Sequence, residues 1–181
     1  MRFINRSLFG AIILMAFVST ACSRGDSTEI EADLEGIKKY AQESVMKLDT
    51  LMKEHDLLVD SLRKSMTGGD EKNLQYDQAK AFTAIERMRA ELDRTQKEFD
   101  DMPLPKGIQS FPDGVRRYID RERSFLDEAK SYFSAENNQG NRTAWIRLMD
   151  KPQSLSNQVY QLYKQARAAS GDGPAASPPA Q

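Results

Sequence analysis

The chain contains a single histidine, His55, and this limits the chemistry that it can support. His55 falls in register with Leu48 and Leu62 on the apolar stripe of a predicted helix. There it could bind haem or a metal ion, with Met52 one turn away or Met88 on a facing helix as its partner. A histidine at the edge of a core seam, hydrogen-bonded to a neighbour, explains the same spacing and is the interpretation that we favour.

The motifs that would support a metal or haem site are absent from the sequence. There is no Cys-x-x-Cys-His for covalent haem attachment. Met52 occupies the position at which the Glu-x-x-His motif of di-iron bundles requires a glutamate. Structural zinc sites draw several ligands from Cys and His, and this chain has one of each. We therefore expect no metal site and no cofactor.

Catalysis by an activated nucleophile or an acid–base pair is also poorly supported. A Ser-His-Asp site would need His55 as its base, but His55 lies in the middle of a predicted helix. The sequence has no G-x-S-x-G elbow and no G-x-x-x-x-G-K loop. Glu122 is unusual because it interrupts an apolar stripe: it could line a cleft, or it could pair with Arg116 or Arg123. We expect a non-enzymatic protein without catalytic residues.

The only cysteine, Cys22, closes an N-terminal segment that is organised like a secretory signal. Arg2 and Arg6 supply positive charge, residues 8–18 are apolar, and small residues precede the cysteine. An apolar run of about 11 residues is short for a membrane-spanning helix, which needs about 20. An ordinary signal cut after Ala21 would leave Cys22 as a lone thiol, which is unusual in an oxidising compartment.

This order of features resembles the lipobox of bacterial lipoproteins, with Ser19 where leucine is usual. The resemblance implies that residues 1–21 are a signal peptide and that the sulfur of Cys22 carries a diacylglycerol. Residues 22–27 would then be the lipidated N-terminus and a short linker, and the protein would be held on a membrane by two or more acyl chains. Ser23, where aspartate would favour inner-membrane retention, implies the inner leaflet of the outer membrane, facing the periplasm, in a Gram-negative cell.

The charge balance of the chain argues against a nucleic-acid partner. Removal of residues 1–21 takes away Arg2 and Arg6, so the basic residues fall from 26 to 24 against 27 acidic ones and the net charge is near −3. Proteins that bind nucleic acid typically carry a basic stripe or patch. Here the charges of both signs are interspersed, which is typical of solvated helix faces.

Apolar residues recur at three- and four-residue steps, which predicts helices along most of the chain. The first stripe runs from Ile30 to Met66, and Gly68-Gly69-Asp70 ends that helix and can cap the next. The second helix is expected at 74–102. Because the break between them is short, the two should form an antiparallel hairpin. Prolines and glycines make helix improbable over 103–114.

Further helical patterns follow at 115–133, 144–149 and 155–166, with Pro152 either starting the last helix or kinking a continuous one. The sequence therefore predicts an all-α fold: an antiparallel helical bundle of about four helices with a long N-terminal helical hairpin, over residues 28–169. Residues 170–181, rich in Gly, Pro, Ala and Ser, are expected to form a disordered tail. The surplus length of the first helix makes a homodimer possible.

Three features could contact a partner, and each also has a structural explanation. Phe111 lies in a predicted loop that carries more apolar side chains than a solvated loop requires, which could indicate a contact surface. It could equally fill the open end of the bundle. Arg116 and Arg117 begin a basic cluster, but nearby carboxylates could pair with it. Trp145 could anchor an interface, but a tryptophan near a helix start often belongs to a core.

The leading hypothesis is a lipid-anchored cell-envelope protein that acts by protein–protein contact with an unknown envelope protein. Its role would be that of an accessory subunit, adaptor or assembly factor, with an apolar groove that receives an amphipathic helix. Two alternatives stay open at this point. One is a periplasmic ligand carrier or sensor with a small site inside the bundle, and the other is an exclusion or inhibitor lipoprotein.

Overall fold

The structure, a computed structural model, describes residues 27–68, 75–106, 108–134 and 141–171. The side chains of residues 27–32 and of Thr67 are outside that description. The predicted signal peptide, Cys22 and nearly all of the predicted tail also lie outside the described residues, as do Gly69 and Asp70.

Five helices and two short strands make up the described chain. Their bounds are α1 Ser27–Ser65, β1 Met66–Gly68, β2 Gln75–Tyr76, α2 Gln78–Asp101, α3 Ser110–Ser134, α4 Arg142–Met149 and α5 Lys151–Ser170. The four long helices are α1, α2, α3 and α5, so the predicted all-α helical bundle is confirmed. At 1.5 Å per residue, the 39 residues of α1 extend about 58 Å.

The described part of the connection between α1 and α2 contains two short paired strands, which the sequence did not predict. Met66 pairs with Tyr76 in a short antiparallel ladder, and the Asp77 amide donates to the Ser65 carbonyl at 2.7 Å. The Asp77 side chain accepts a hydrogen bond from the Lys80 amide at 3.0 Å, so Asp77 is the N-cap of α2. The second helix thus begins at Gln78, later than the expected start near residue 74.

The start of α3 corrects a second expectation. Residues 103–114 were expected to be non-helical, yet α3 begins at Ser110 and includes Phe111, Pro112 and Gly114. Pro112 is the third residue of the helix, where an amide hydrogen has no partner within the helix, so proline is tolerated there. Asp113 lies in the same first turn, where a negative charge is favourable. The connection from α2 is therefore shorter than predicted.

The bundle closes as a ring in which each long helix contacts two others. Helix α1 packs on α2 and α5, and α3 also packs on α2 and α5, so α1 and α3 face each other across the diagonal. The core is one continuous cluster of buried side chains. Its largest fully buried members are Tyr118, Phe125, Phe133, Leu48, Leu51, Leu62, Ile85, Met88, Leu92, Ile108, Ile119 and Leu126.

Asp150 separates the last two helices, because it ends α4 and precedes α5. Pro152 lies in the first turn of α5, so of the two expectations the structure has the proline starting a helix. Gly171 ends α5 in a left-handed conformation with φ 87°, which costs glycine little. Ser170, expected in the tail, is the last helical residue. Within the described ranges, no helix is long and apolar enough to cross a bilayer.

Candidate functional site

The two residues that the sequence singled out as unusual, His55 and Glu122, contact each other in the core. His55 Nδ1 lies 3.0 Å from one carboxylate oxygen of Glu122 and 3.1 Å from the other. His55 Nε2 lies 3.1 Å from the carbonyl oxygen of Pro152. Both side chains are fully buried. A polar cluster therefore links α1, α3 and the start of α5 across the diagonal of the bundle.

The partners fix where the hydrogens of this cluster lie. A carbonyl oxygen only accepts, so His55 Nε2 must carry a hydrogen and donate it to Pro152. On the other side of the ring, one proton lies between Nδ1 and the Glu122 carboxylate. Loss of that proton would leave a nitrogen lone pair facing a buried carboxylate, so the pair retains it strongly.

The pKa of His55 is raised above its usual value of 6.5. Burial is the largest single influence and acts to lower it, because a buried charge loses its hydration. The hydrogen bond and the negative charge of Glu122 together outweigh burial, with help from the Pro152 carbonyl. The charged imidazole is therefore favoured inside the bundle.

These contacts indicate that the cluster holds helices together and does not bind a ligand. With both ring nitrogens hydrogen-bonded, His55 has no lone pair available for haem or a metal ion. In the ranges that the structure describes, no group of three or more His, Cys, Asp or Glu side chains could hold a metal ion. Glu122 does not pair with Arg116 or Arg123, as one reading of the sequence expected. Those arginines bind carboxylates on the surface.

Phe111 and Trp145 lie mainly against other aromatic rings. Phe111 is buried, with its ring centroid 6.3 Å from that of Tyr40 in an edge-on arrangement, so a partner protein cannot reach it without opening the end of the bundle. Trp145 is half-buried and packs on Tyr132 and Phe133 at 5.8 and 6.1 Å. Its outer side lines a shallow apolar depression beside Ile146.

The two arginines of the predicted basic cluster differ in their surroundings. Arg116 binds Asp100 at 2.9 Å and has Asp113 3.7 Å away, so its charge is compensated. Arg117 is exposed, and none of the ion pairs among the described residues includes it. Its guanidinium lines a groove on the outer side of the bundle.

This groove runs between α3 and α5 and has a volume of about 630 Å³. We refer to it as the α3/α5 groove. Most of its lining residues are polar, but the exposed lining surface is more apolar than polar, because the aliphatic parts of the glutamine and arginine side chains contribute to it. The lining residues are Gly114, Arg117, Tyr118 and Arg121 from α3, Asp150 at one end, and Gln153, Ser154, Asn157, Gln158, Gln161, Leu162 and Gln165 from α5.

The α5 wall of the groove carries a ladder of amide side chains. Gln153, Asn157, Gln161 and Gln165 are spaced by four residues, so neighbouring members are adjacent and the row winds around the helix by about 40° per step. Gln158 lies beside them and accepts a hydrogen bond from Arg121 at 2.8 Å. Helix α5 contains no Asp or Glu, so only Asp150 offers a negative charge to the groove.

This amide ladder was not predicted from the sequence. Its signal was present as four amide residues at a strict spacing of four, in a helix without acidic residues. Such a pattern is easily taken for a solvated face. Its position opposite Arg117 depends on which helices are neighbours, and that appears only in the folded chain.

Comparisons with known proteins add no family to this description. No family model, no curated protein and no solved structure matches the chain. The argument for function therefore comes from the groove and from the N-terminal pattern.

Proposed function

We propose that this chain is a lipid-anchored cell-envelope protein that acts without catalysis, by binding another envelope protein. Its role is that of an accessory subunit, adaptor or assembly factor. The lipobox-like pattern at Cys22 supports the anchor and the periplasm-facing location on the outer membrane. The observation that carries the binding role is the α3/α5 groove, where the uncompensated charge of Arg117 faces a row of exposed amides.

The surroundings of the other basic residues support this choice of surface. Five basic side chains of α2 and α3 each bind a carboxylate on a neighbouring helix: Arg87, Arg89, Arg116, Arg123 and Lys130. Arg117 and Arg121 lack such partners and lie at the same groove. A few polar groups that converge on a concave, partly apolar surface are typical of binding sites. In this proposal a groove of mixed polarity takes the place of the apolar groove that was expected from the sequence.

The anchor is tested by replacing Cys22 with serine in cells that make lipoproteins. We expect the unchanged protein to incorporate labelled palmitate and to sediment with membranes. The C22S variant should lose the label and should remain an unprocessed precursor, because the modified sulfur is what the lipoprotein pathway acts on. A C22S variant that is processed and bound to membranes like the unchanged protein would overturn the anchor.

The binding role is tested by isolating the full chain from crosslinked cell envelopes. The informative comparison is between the R117E/R121E double variant and an R147E variant. Arg147 is exposed on α4 and does not line the groove. We expect one envelope protein to be recovered with the unchanged chain and with R147E but lost from R117E/R121E. Equal recovery with all three would contradict a role for this groove.

A further inference from the structure

The most informative unexplained feature is the geometry of the amide ladder in the α3/α5 groove. Successive members are four residues apart on an α-helix, so they rise by about 6.0 Å per step. Two residues of an extended chain span about 6.6 to 6.8 Å. Over three steps the axial mismatch is about 2 Å, and the row turns by about 120° around α5, so a bound strand must lie obliquely across the helix while the flexible glutamine side chains absorb the remaining difference.

Each ladder member also has the hydrogen-bonding groups that a peptide unit requires. A carboxamide both donates and accepts, as does the backbone of an extended chain. In an extended chain every second residue presents its N–H and C=O to the same side. Gln153, Asn157, Gln161 and Gln165 can therefore each meet one such residue along a bound strand.

The opposite wall selects the charge of that strand. Arg117 has no carboxylate partner among the described residues, and Arg121 contacts only the neutral Gln158. Asp150 lies at one end of the groove, so the net charge of the lining side chains is positive. Charge-assisted hydrogen bonds from arginine to carboxylate are stronger than neutral ones. An acidic segment is thus favoured over a basic one.

The floor of the α3/α5 groove is poorly suited to a helical occupant. An amphipathic helix binds by burying large apolar side chains in a cleft, but the only apolar residue types among those lining the groove are Gly114, Tyr118 and Leu162. A Cβ placed on Gly114 would lie 3.1 Å from a methyl carbon of Leu162, so α3 and α5 are closely packed beneath the groove. This leaves no deep apolar cleft for the side chains of a helix.

We propose that the α3/α5 groove binds an extended, acidic segment of the partner protein, with its backbone on the amide ladder and its carboxylates on Arg117 and Arg121. This inference rests on the proposed function, because it names the kind of partner segment that the same groove takes. An acidic glycan would use the same arginines, and the experiment below separates the two.

The test is a selection of random peptides of about eight residues, long enough to span the ladder, against the full chain. The R117E/R121E variant serves for counter-selection. We expect enriched peptides with Asp or Glu at alternate positions and no helical amphipathic pattern. Binding of such a peptide should fall by about tenfold or more for R117E/R121E and remain unchanged for R147E.

Backbone methylation gives the sharper control. In a selected peptide, N-methylation of every second amide should weaken binding by about tenfold in one register and have little effect in the other, because alternate amides point to opposite sides. Equal effects in both registers would overturn the extended-strand model. Enrichment of basic or amphipathic helical peptides would also overturn it, as would the failure of any peptide to prefer the unchanged groove over R117E/R121E.

These outcomes can be distinguished from failure of the proposed function. If an acidic oligosaccharide binds with dependence on Arg117 and no selected peptide does, the peptide proposal is wrong. If the groove variants lose the partner in crosslinked envelopes but only helical peptides are enriched, the proposed function stands and the extended-strand proposal falls. If acidic peptides bind the groove in vitro but no envelope partner depends on it, the groove binds extended acidic chains and the proposed function falls.

Discussion

His55 Nδ1 lies 3.0 Å from a carboxylate oxygen of Glu122, although the two residues are 67 positions apart in the chain. The contact joins α1 to α3, which are diagonal neighbours in the bundle and share few backbone contacts. Pro152, at the start of α5, accepts the second hydrogen bond of the imidazole. One buried polar cluster therefore links three helices, and we expect it to favour the register in which all its hydrogen bonds are made.

Replacing Glu122 with leucine should lower the free energy of unfolding by about 3 kcal/mol, since it leaves the polar imidazole of His55 without its buried partner. Urea denaturation followed by circular dichroism would measure the change. The matched control is E128L on the same helix, where Glu128 binds Lys151 at the surface. That variant should change stability by less than about 1 kcal/mol. Similar losses for both variants would contradict a special role for the buried pair.

Removing both partners should be less damaging than removing one. In a double variant, H55L/E122L, no polar side chain of the pair is left buried without its partner, and apolar side chains of similar size fill the space. We expect its stability to lie within about 1 kcal/mol of the unchanged protein. A double-mutant cycle gives the coupling energy directly. Additive losses would indicate that the two side chains do not act as a unit.

The protonation of His55 should be visible because it is the only histidine in the chain. The raised pKa of His55 predicts that its imidazole proton resonances, which belong to the only histidine, titrate above pH 6.5 in the folded protein. The contribution of the charged pair to stability should be complete below about pH 6.5, the pKa in the unfolded chain, and should be lost as the pH rises through the folded pKa. The H55L/E122L variant should lack this loss. A titration midpoint below 6.5 would contradict the electrostatic account.

Tyr118 gives a test of a different kind. Its hydroxyl is buried and has no partner at ordinary hydrogen-bond geometry, although the Glu122 carboxylate lies near enough to contribute a weak interaction. Burial, followed by the nearby charge of Glu122, raises the pKa of Tyr118 well above 10. A buried, unsatisfied hydroxyl is unfavourable, so Y118F should keep or increase the free energy of unfolding, by up to about 1 kcal/mol. Denaturant unfolding would measure it, and a loss of more than about 1 kcal/mol would indicate that the hydroxyl bonds to Glu122.

In the proposed lipoprotein, the residue after Cys22 predicts the membrane in which the protein is held. Resemblance to proteobacterial lipoproteins implies that Ser23 permits transfer to the outer membrane, so S23D is expected to retain the protein in the inner membrane. Density-gradient separation of the two membranes from a Gram-negative host would measure the distribution, with S23T as the control substitution. Identical distributions for S23D and S23T would show that this position does not direct sorting.

The sequence was sufficient to predict elements whose cause is local. The stripe from Ile30 to Met66 predicted α1 because each of its steps follows the helical period, and the structure has that helix at Ser27–Ser65. The start of α3 was missed because Pro112 was read as a helix breaker without regard to its place in the first turn.

The site required information that no local pattern contains. His55 was predicted to bond to a neighbour in a core seam, and Glu122 was recognised as an anomaly, but nothing in the sequence paired them. Their contact depends on α1 and α3 being diagonal in the bundle. Likewise, Arg117 belonged to a predicted basic cluster, yet only the fold separates it from the compensated Arg116 and places it opposite the amide ladder.

The central claim is that the protein works through the α3/α5 groove, and site-specific photocrosslinking in living cells tests it most directly. A photoreactive residue would be placed at Asn157 in the groove or at Lys97, an exposed position on α2 outside the groove. We predict one envelope protein crosslinked from Asn157, absent from Lys97, and lost when R117E is added. Crosslinks of equal intensity from both positions, or none from Asn157, would contradict the account.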